Sequence, residues 1–161
     1  MPVDTMKKII RQLIDLHLRL TQLAIKKTEF VKAGDTQALA QLTKQETPLV
    51  DQVNQLEHLR IEETVRTTEG LSERGWTFKR WIEEIIPQEE RDEWDALYAQ
   101  LKSAVSELRR VNQLNQLLLN QSLQFVRLSL NLLQPRPSST TYGNNGNTRT
   151  TSYSGRIDSR A

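Results

Sequence analysis

Apolar residues in this chain recur at alternating intervals of three and four, a spacing that restricts it to helices packed side by side. Met6, Ile9, Leu13, Leu16, Leu20, Leu23 and Phe30 form such a stripe, interrupted only where Lys27 takes a seam position. A period near 3.5 keeps one helix face apolar turn after turn, so the stripe is a heptad-like seam that carries fold rather than function. Gly34 ends it. Asp35 follows as a good N-cap, because its carboxylate can accept from the first free backbone N–H groups of the next helix. The first helix is predicted over about 4–33 and the second over about 36–66, the two forming an antiparallel hairpin.

The second helix presents Leu39, Leu42, Leu49, Val53, Leu56 and Val65. Pro48 lies inside it, and because proline lacks an N–H and its ring crowds the preceding turn, a kink or short break is expected near Thr47. Around Gly70 and Gly75 the pattern loosens. Trp76, Phe78, Trp81, Ile82, Ile85 and Ile86 then predict a short amphipathic helix over about 77–86, in a connection that crosses back over the bundle. Pro87 suits the first position of a last helix, where its missing donor costs nothing, and Glu89, Glu90 and Asp92 suit the positive end of the dipole. That helix is predicted over 87–134, roughly 70 Å at 1.5 Å per residue against roughly 40–50 Å for each of the first two. It must overhang, bend or find another partner.

The two halves of the last helix differ. Trp94, Leu97, Leu101, Ala104, Leu108 and Val111 line one face of the first half, with charges opposite. Between Arg110 and Arg127 no charged residue occurs, while Leu114, Leu117, Leu118, Leu119, Leu123, Phe125 and Val126 spread over more than one face, followed by Leu128, Leu130, Leu132 and Leu133. A helix apolar on several faces is normally buried, and a three-helix domain this small points to a cover from outside itself. Asn112, Gln113, Asn115, Gln116, Asn120, Gln121 and Gln124 keep the stretch soluble without fixing a charge pattern, as a reversible helical interface requires. Continuing the register of Trp94, Leu97 and Leu101 reaches Asn115, Ser122 and Ser129, which weaken a permanent seam. A transient partner is thus favoured over the alternative, a self-associating coiled-coil scaffold. The fold class is all-α: an elongated antiparallel helical hairpin or three-helix bundle over 1–134 with a long C-terminal helix. The tail over 135–161, rich in Ser, Thr, Asn and Gly, cannot bury enough apolar surface to offset the entropy of ordering and is expected to be disordered.

Chemistry is scarce in this sequence. Cysteine is absent, which removes disulfides, thiolate metal sites and a cysteine nucleophile, and fits a reducing cytoplasm. His17 and His58 stand without a second ligand at metal spacing. The carboxylate pairs Glu62-Glu63, Glu83-Glu84 and Glu89-Glu90 point about 100° apart on a helix and read as solvated faces. No phosphate loop, nucleophile elbow or triad can be assembled, so a non-enzymatic, cofactor-free protein is expected. The formal charge of +2 resides in the tail, where four arginines face one aspartate, leaving the body nearly neutral and without a basic stripe for nucleic acid. Arg11 and Asp15 interrupt any signal-peptide core, and the longest aliphatic run, Leu117-Leu118-Leu119, is far short of the roughly 20 residues that span a bilayer. A soluble, cytoplasmic chain without membrane insertion is expected.

The stretch from Leu108 through Asn112, Asn115 and Leu117-Leu118-Leu119 resembles the signature of FlgN-family flagellar export chaperones, in which Asn-x-x-Asn precedes paired apolar residues on a long C-terminal helix. Ser122-Leu123-Gln124-Phe125 and Leu130-Asn131-Leu132-Leu133 continue the likeness, and the closing Gly155-Arg156-Ile157-Asp158 segment looks like the end of Bacillus-type members. The resemblance implies a monomer or weak homodimer that binds the C-terminal helices of the hook-filament junction proteins, keeps them unassembled, and delivers them to the flagellar export gate and its ATPase complex. It places client binding on Asn112, Asn115, Leu118, Leu119, Ser122, Phe125, Val126, Ser129, Leu132 and Leu133, and docking at the export gate on Tyr142 within Thr141-Tyr142-Gly143.

Overall fold

A computed structural model describes residues 2–69 and 75–134 of the chain. Among these the elements are α1 (Pro2–Ala33), α2 (Thr36–Thr67), α3 (Phe78–Ile85), a 3₁₀ turn (Gln88–Glu90) and α4 (Arg91–Leu133), with no strand. The α1–α2 hairpin is built as its sequence dictates. Gly34 adopts φ +67°, a left-handed conformation that glycine enters without steric cost, and the N–H groups of Gly34 and Asp35 bond back to Val31 and Phe30. Asp35 caps α2 by accepting from the Ala38 N–H at 3.0 Å. The break expected near Thr47 does not occur, and α2 runs through Pro48 without interruption. Pro48 is exposed, so its ring projects into water and only the local turn loses a hydrogen bond.

α1 is the middle helix, with α2 packed along one side and α4 along the other. α2 runs antiparallel to it. α4 runs parallel to it, as two long-range contacts fix: Lys7 pairs with Glu93 at 3.0 Å near one end, and Asn115 donates to the Ala24 carbonyl at 2.8 Å near the other. Serving two neighbours, α1 buries two stripes. The predicted seam of Met6, Ile9, Leu13, Leu16 and Leu20 is buried, and so is a second set, Ile10, Thr21, Ala24, Thr28 and Val31, that faces toward α4. Ala24 and Thr28 of that second set are where Asn115 of α4 reaches α1.

The end of the bundle at the start of α1 is closed by α3. There α3 inserts Phe78, Trp81 and Ile82 beside Ile86, Met6, Ile10, Leu13, Trp94 and Leu97 to close the main core. The rings of Trp81 and Trp94 meet edge to face at 5.1 Å, and the Trp81 indole N–H donates to the Thr67 hydroxyl at 2.7 Å, tying α3 to the last turn of α2. Thr77 caps α3, accepting from the Arg80 N–H. At its other end the Arg91 guanidinium donates to the Glu83 and Ile86 carbonyls, which have no helical partner. Pro87 precedes the 3₁₀ turn instead of opening α4, and Asp92 and Glu93 fill the first turn of α4. One of the expected solvated carboxylates is not solvated. Glu63 is buried, and its carboxylate is satisfied by Arg66 one turn on.

Candidate protein-binding surface

α4 has 43 residues and α1 has 32, which at 1.5 Å per residue is about 64 Å against about 48 Å. Because the two start at about the same level and run parallel, α4 continues about 11 residues, or roughly 16 Å, past the level of Ala33. Burial along α4 records the change. Trp94, Leu97, Ala104, Val111 and Asn115 are buried and Leu118 is half-buried, whereas from Leu119 to Gln134 every residue is exposed except the small Ser129.

The seam that α4 turns toward α1 follows a strict alternation of three and four: Leu97, Leu101, Ala104, Leu108, Val111, Asn115 and Leu118. The same alternation then continues through Ser122, Phe125, Ser129 and Leu132, with nothing opposite. Phe125 is 71% exposed and Leu132 78%. Leu119, Val126 and Leu133 form a parallel row one heptad apart, led by Asn112. Viewed down the helix, Ser122 and Ser129 lie between the Leu118, Phe125, Leu132 row and the Leu119, Val126, Leu133 row. They are the small floor of a trough with apolar walls, open to a helix at close range.

The ten positions singled out on this helix therefore share one contiguous arc, but they do not share one environment. Asn115 is buried between α4 and α1, where it donates to Ala24 O and accepts from the Thr28 hydroxyl. It holds the register of the two parallel helices. Leu123 and Leu130, part of the apolar stretch but not of those ten positions, extend the arc beyond the Val126 row and are 49% and 55% exposed. Their spacing from Leu119, Val126 and Leu133 was the available signal. Tyr142 lies outside the described residues.

Charges are sparse here. From Leu108 to Gln134 the chain carries Arg109, Arg110 and Arg127 and no acid. Arg110 is matched by Glu107, to which it donates at 2.7 Å and 3.0 Å, and that hydrogen bonding holds the Glu107 carboxyl below its ordinary range. Among the described residues, no group of three His, Cys, Asp or Glu is placed to hold a metal ion, and no helix is long and apolar enough to cross a membrane.

The sequence model of the FlgN protein family matches residues 1–150. The chain belongs to the FlgN family. FlgN proteins are chaperones of flagellar export rather than a family of enzymes. A relative from Bacillus subtilis (strain 168), described as the uncharacterized protein YvyG, is 29% identical over 136 residues, which is 83% of this chain and 81% of the relative. No solved structure matches.

Proposed function

We propose that this FlgN protein works in the cytoplasm, holding the C-terminal helices of hook-filament junction proteins on the overhanging part of α4 and so keeping them from assembling before export. One observation carries the reading: the seam α4 uses against α1 continues through Ser122, Phe125, Ser129 and Leu132 after α1 has ended. A client helix placed there extends the line of α1 and meets the packing α1 itself receives. Phe125 and Leu132 insert into it, with Leu119, Val126 and Leu133 flanking. The serine floor gives up the affinity that leucine would add, which suits a client that must be released. Delivery to the export gate and ATPase complex is assigned to the tail, through Tyr142.

The test is calorimetry of the intact protein with a C-terminal helical segment of a junction protein. Phe125→Asp and Leu132→Asp are each expected to weaken binding more than tenfold, because each places a charge in a desolvated seam. A truncation after Gln134 is expected to bind as the intact chain does. Unchanged binding by both substituted proteins would remove α4 as the client site.

A further inference from the structure

A second heptad row runs along α4 beside the first: Val105, Arg109, Asn112, Gln116, Leu119, Leu123, Val126, Leu130 and Leu133, again at alternating intervals of four and three. Its character changes along its length. The five positions on and beyond the end of α1 are all aliphatic and exposed, whereas Arg109, Asn112 and Gln116 are polar and lie beside the bundle. These three border a shallow, open groove of about 400 Å³, with His17 of α1 on its other side and Val105, Leu108 and Gln113 completing its lining. The His17 ring is half-buried and engaged through Nδ1 with the Leu13 carbonyl at 2.7 Å, which fixes this wall.

The groove is supplied with donors. Arg109 is exposed, and among the described residues no carboxylate pairs with it, whereas its neighbour Arg110 is committed to Glu107. Asn112, Gln113 and Gln116 add amide N–H groups. The end of a helix that needs donors and a positive charge is its C-terminus, where the last four carbonyls have no partner and the dipole is negative. An N-terminus would bring free N–H groups and the positive end of its dipole against an unpaired arginine.

We propose that this second row is a docking surface for a client helix that runs antiparallel to α4, its apolar face on Leu119, Leu123, Val126, Leu130 and Leu133, and its C-terminal carbonyls and carboxylate in the His17 groove against Arg109. The distance from Asn112 to Leu133 is about 32 Å, so the occupant is a helix of about 20 residues. This rests on the chaperone reading above and adds to it a direction, a second face and a polar end-stop.

The experiment uses the intact protein and the C-terminal helical segment of a junction protein, prepared as the free acid and as the C-terminal amide, with binding followed by calorimetry. Amidation is expected to weaken binding at least about threefold in the wild type and to have no effect in Arg109→Gln, the magnitude being that of a partly exposed charge at a helix terminus. Leu130→Asp is expected to weaken binding about tenfold or more. A photoreactive residue at the peptide C-terminus is expected to crosslink within residues 105–116. Arg109 and Leu130 are both exposed, so neither substitution threatens the fold. If amidation and Leu130→Asp change nothing while Leu132→Asp abolishes binding, the second row is unused and the first-seam reading stands alone. A crosslink at the tip of α4 would reverse the direction and overturn the proposal, and absence of any binding by the wild type would remove both readings.

Discussion

Asn115 is the residue whose environment departs most from what its neighbours in sequence suggest. It falls among polar residues that are themselves exposed, Asn112, Gln113 and Gln116, yet it is 3% accessible and joins Thr28 and Ala24 of α1. Replacing it with alanine removes the two buried hydrogen bonds that Asn115 makes and leaves the Thr28 hydroxyl to donate to the Ala24 carbonyl of its own helix. The expected loss is about 1–3 kcal/mol in urea unfolding, with client affinity changed less than about threefold while the protein remains folded. An equally large affinity loss would put Asn115 on the client. Nothing local in the sequence distinguishes Asn115 from Asn112, because the difference arises from the parallel register of two helices more than 80 residues apart. Glu107 offers a check on the surface beside it. Its folded pKa is lowered by hydrogen bonding from Arg110, so whatever the pair contributes is present above the ordinary carboxylate range and is lost as pH falls through the folded value. Arg110→Gln is expected to raise the Glu107 titration midpoint in an NMR pH series. The exposure of the pair to solvent makes any effect on stability small.

At the scale of elements, α2 is the helix with the most to gain. Pro48 removes one backbone hydrogen bond in the middle of a 32-residue helix whose buried residues are only Leu42, Glu63 and Thr64. Pro48→Ala restores the donor, and the greater freedom of the unfolded chain offsets part of the gain, so a rise of about 1–2 kcal/mol in unfolding free energy is expected. No change in urea midpoint would mean that the helix already relieves the strain locally. Helix identities, the Gly34–Asp35 hairpin and the excess length of the last helix were legible, because heptad spacing, a left-handed glycine and a capping carboxylate act over a few residues. The second buried stripe of α1 was not. Ile10, Ala24, Thr28 and Val31 are too mixed in polarity to stand out, and they are buried only because α4 runs alongside. Glu63 was misread for the same reason, since a carboxylate paired one turn away can enter a partly covered face without a visible change in pattern. On α4 the first exposed seam was readable as an arc, while the groove at His17 needed α1 and α4 side by side before Arg109 acquired a meaning.

For the whole molecule, the aromatic core sits at one end and the uncovered helix at the other, so stability and binding should separate physically. No residue of α4 beyond Asn115 is buried, and all side chains of the main core lie on α1, the α3 region and the first turns of α4. A chain ending at Asn120 therefore keeps every buried residue of α1, α2, α3 and α4. Its melting temperature is expected to stay within a few degrees of the full chain, since the lost segment contributes little more than its own helical propensity. The truncation also removes Leu123, Phe125, Val126, Leu128, Leu130, Leu132 and Leu133, each at least 49% exposed, a concentration of bare apolar side chains of the kind that marks an interaction site. At high concentration the full chain is thus expected to self-associate weakly through α4, with a sedimentation coefficient that rises with concentration, while the truncated chain sediments as a monomer throughout. Client peptide should compete with that association, because both need the same seam. A full chain that stays dimeric at the lowest concentrations, loses stability on truncation and ignores the peptide would instead be a scaffold closed by α4. The serines at 122 and 129 argue against that outcome, since a permanent seam gains several kcal/mol from leucine at such positions and this helix has left them small.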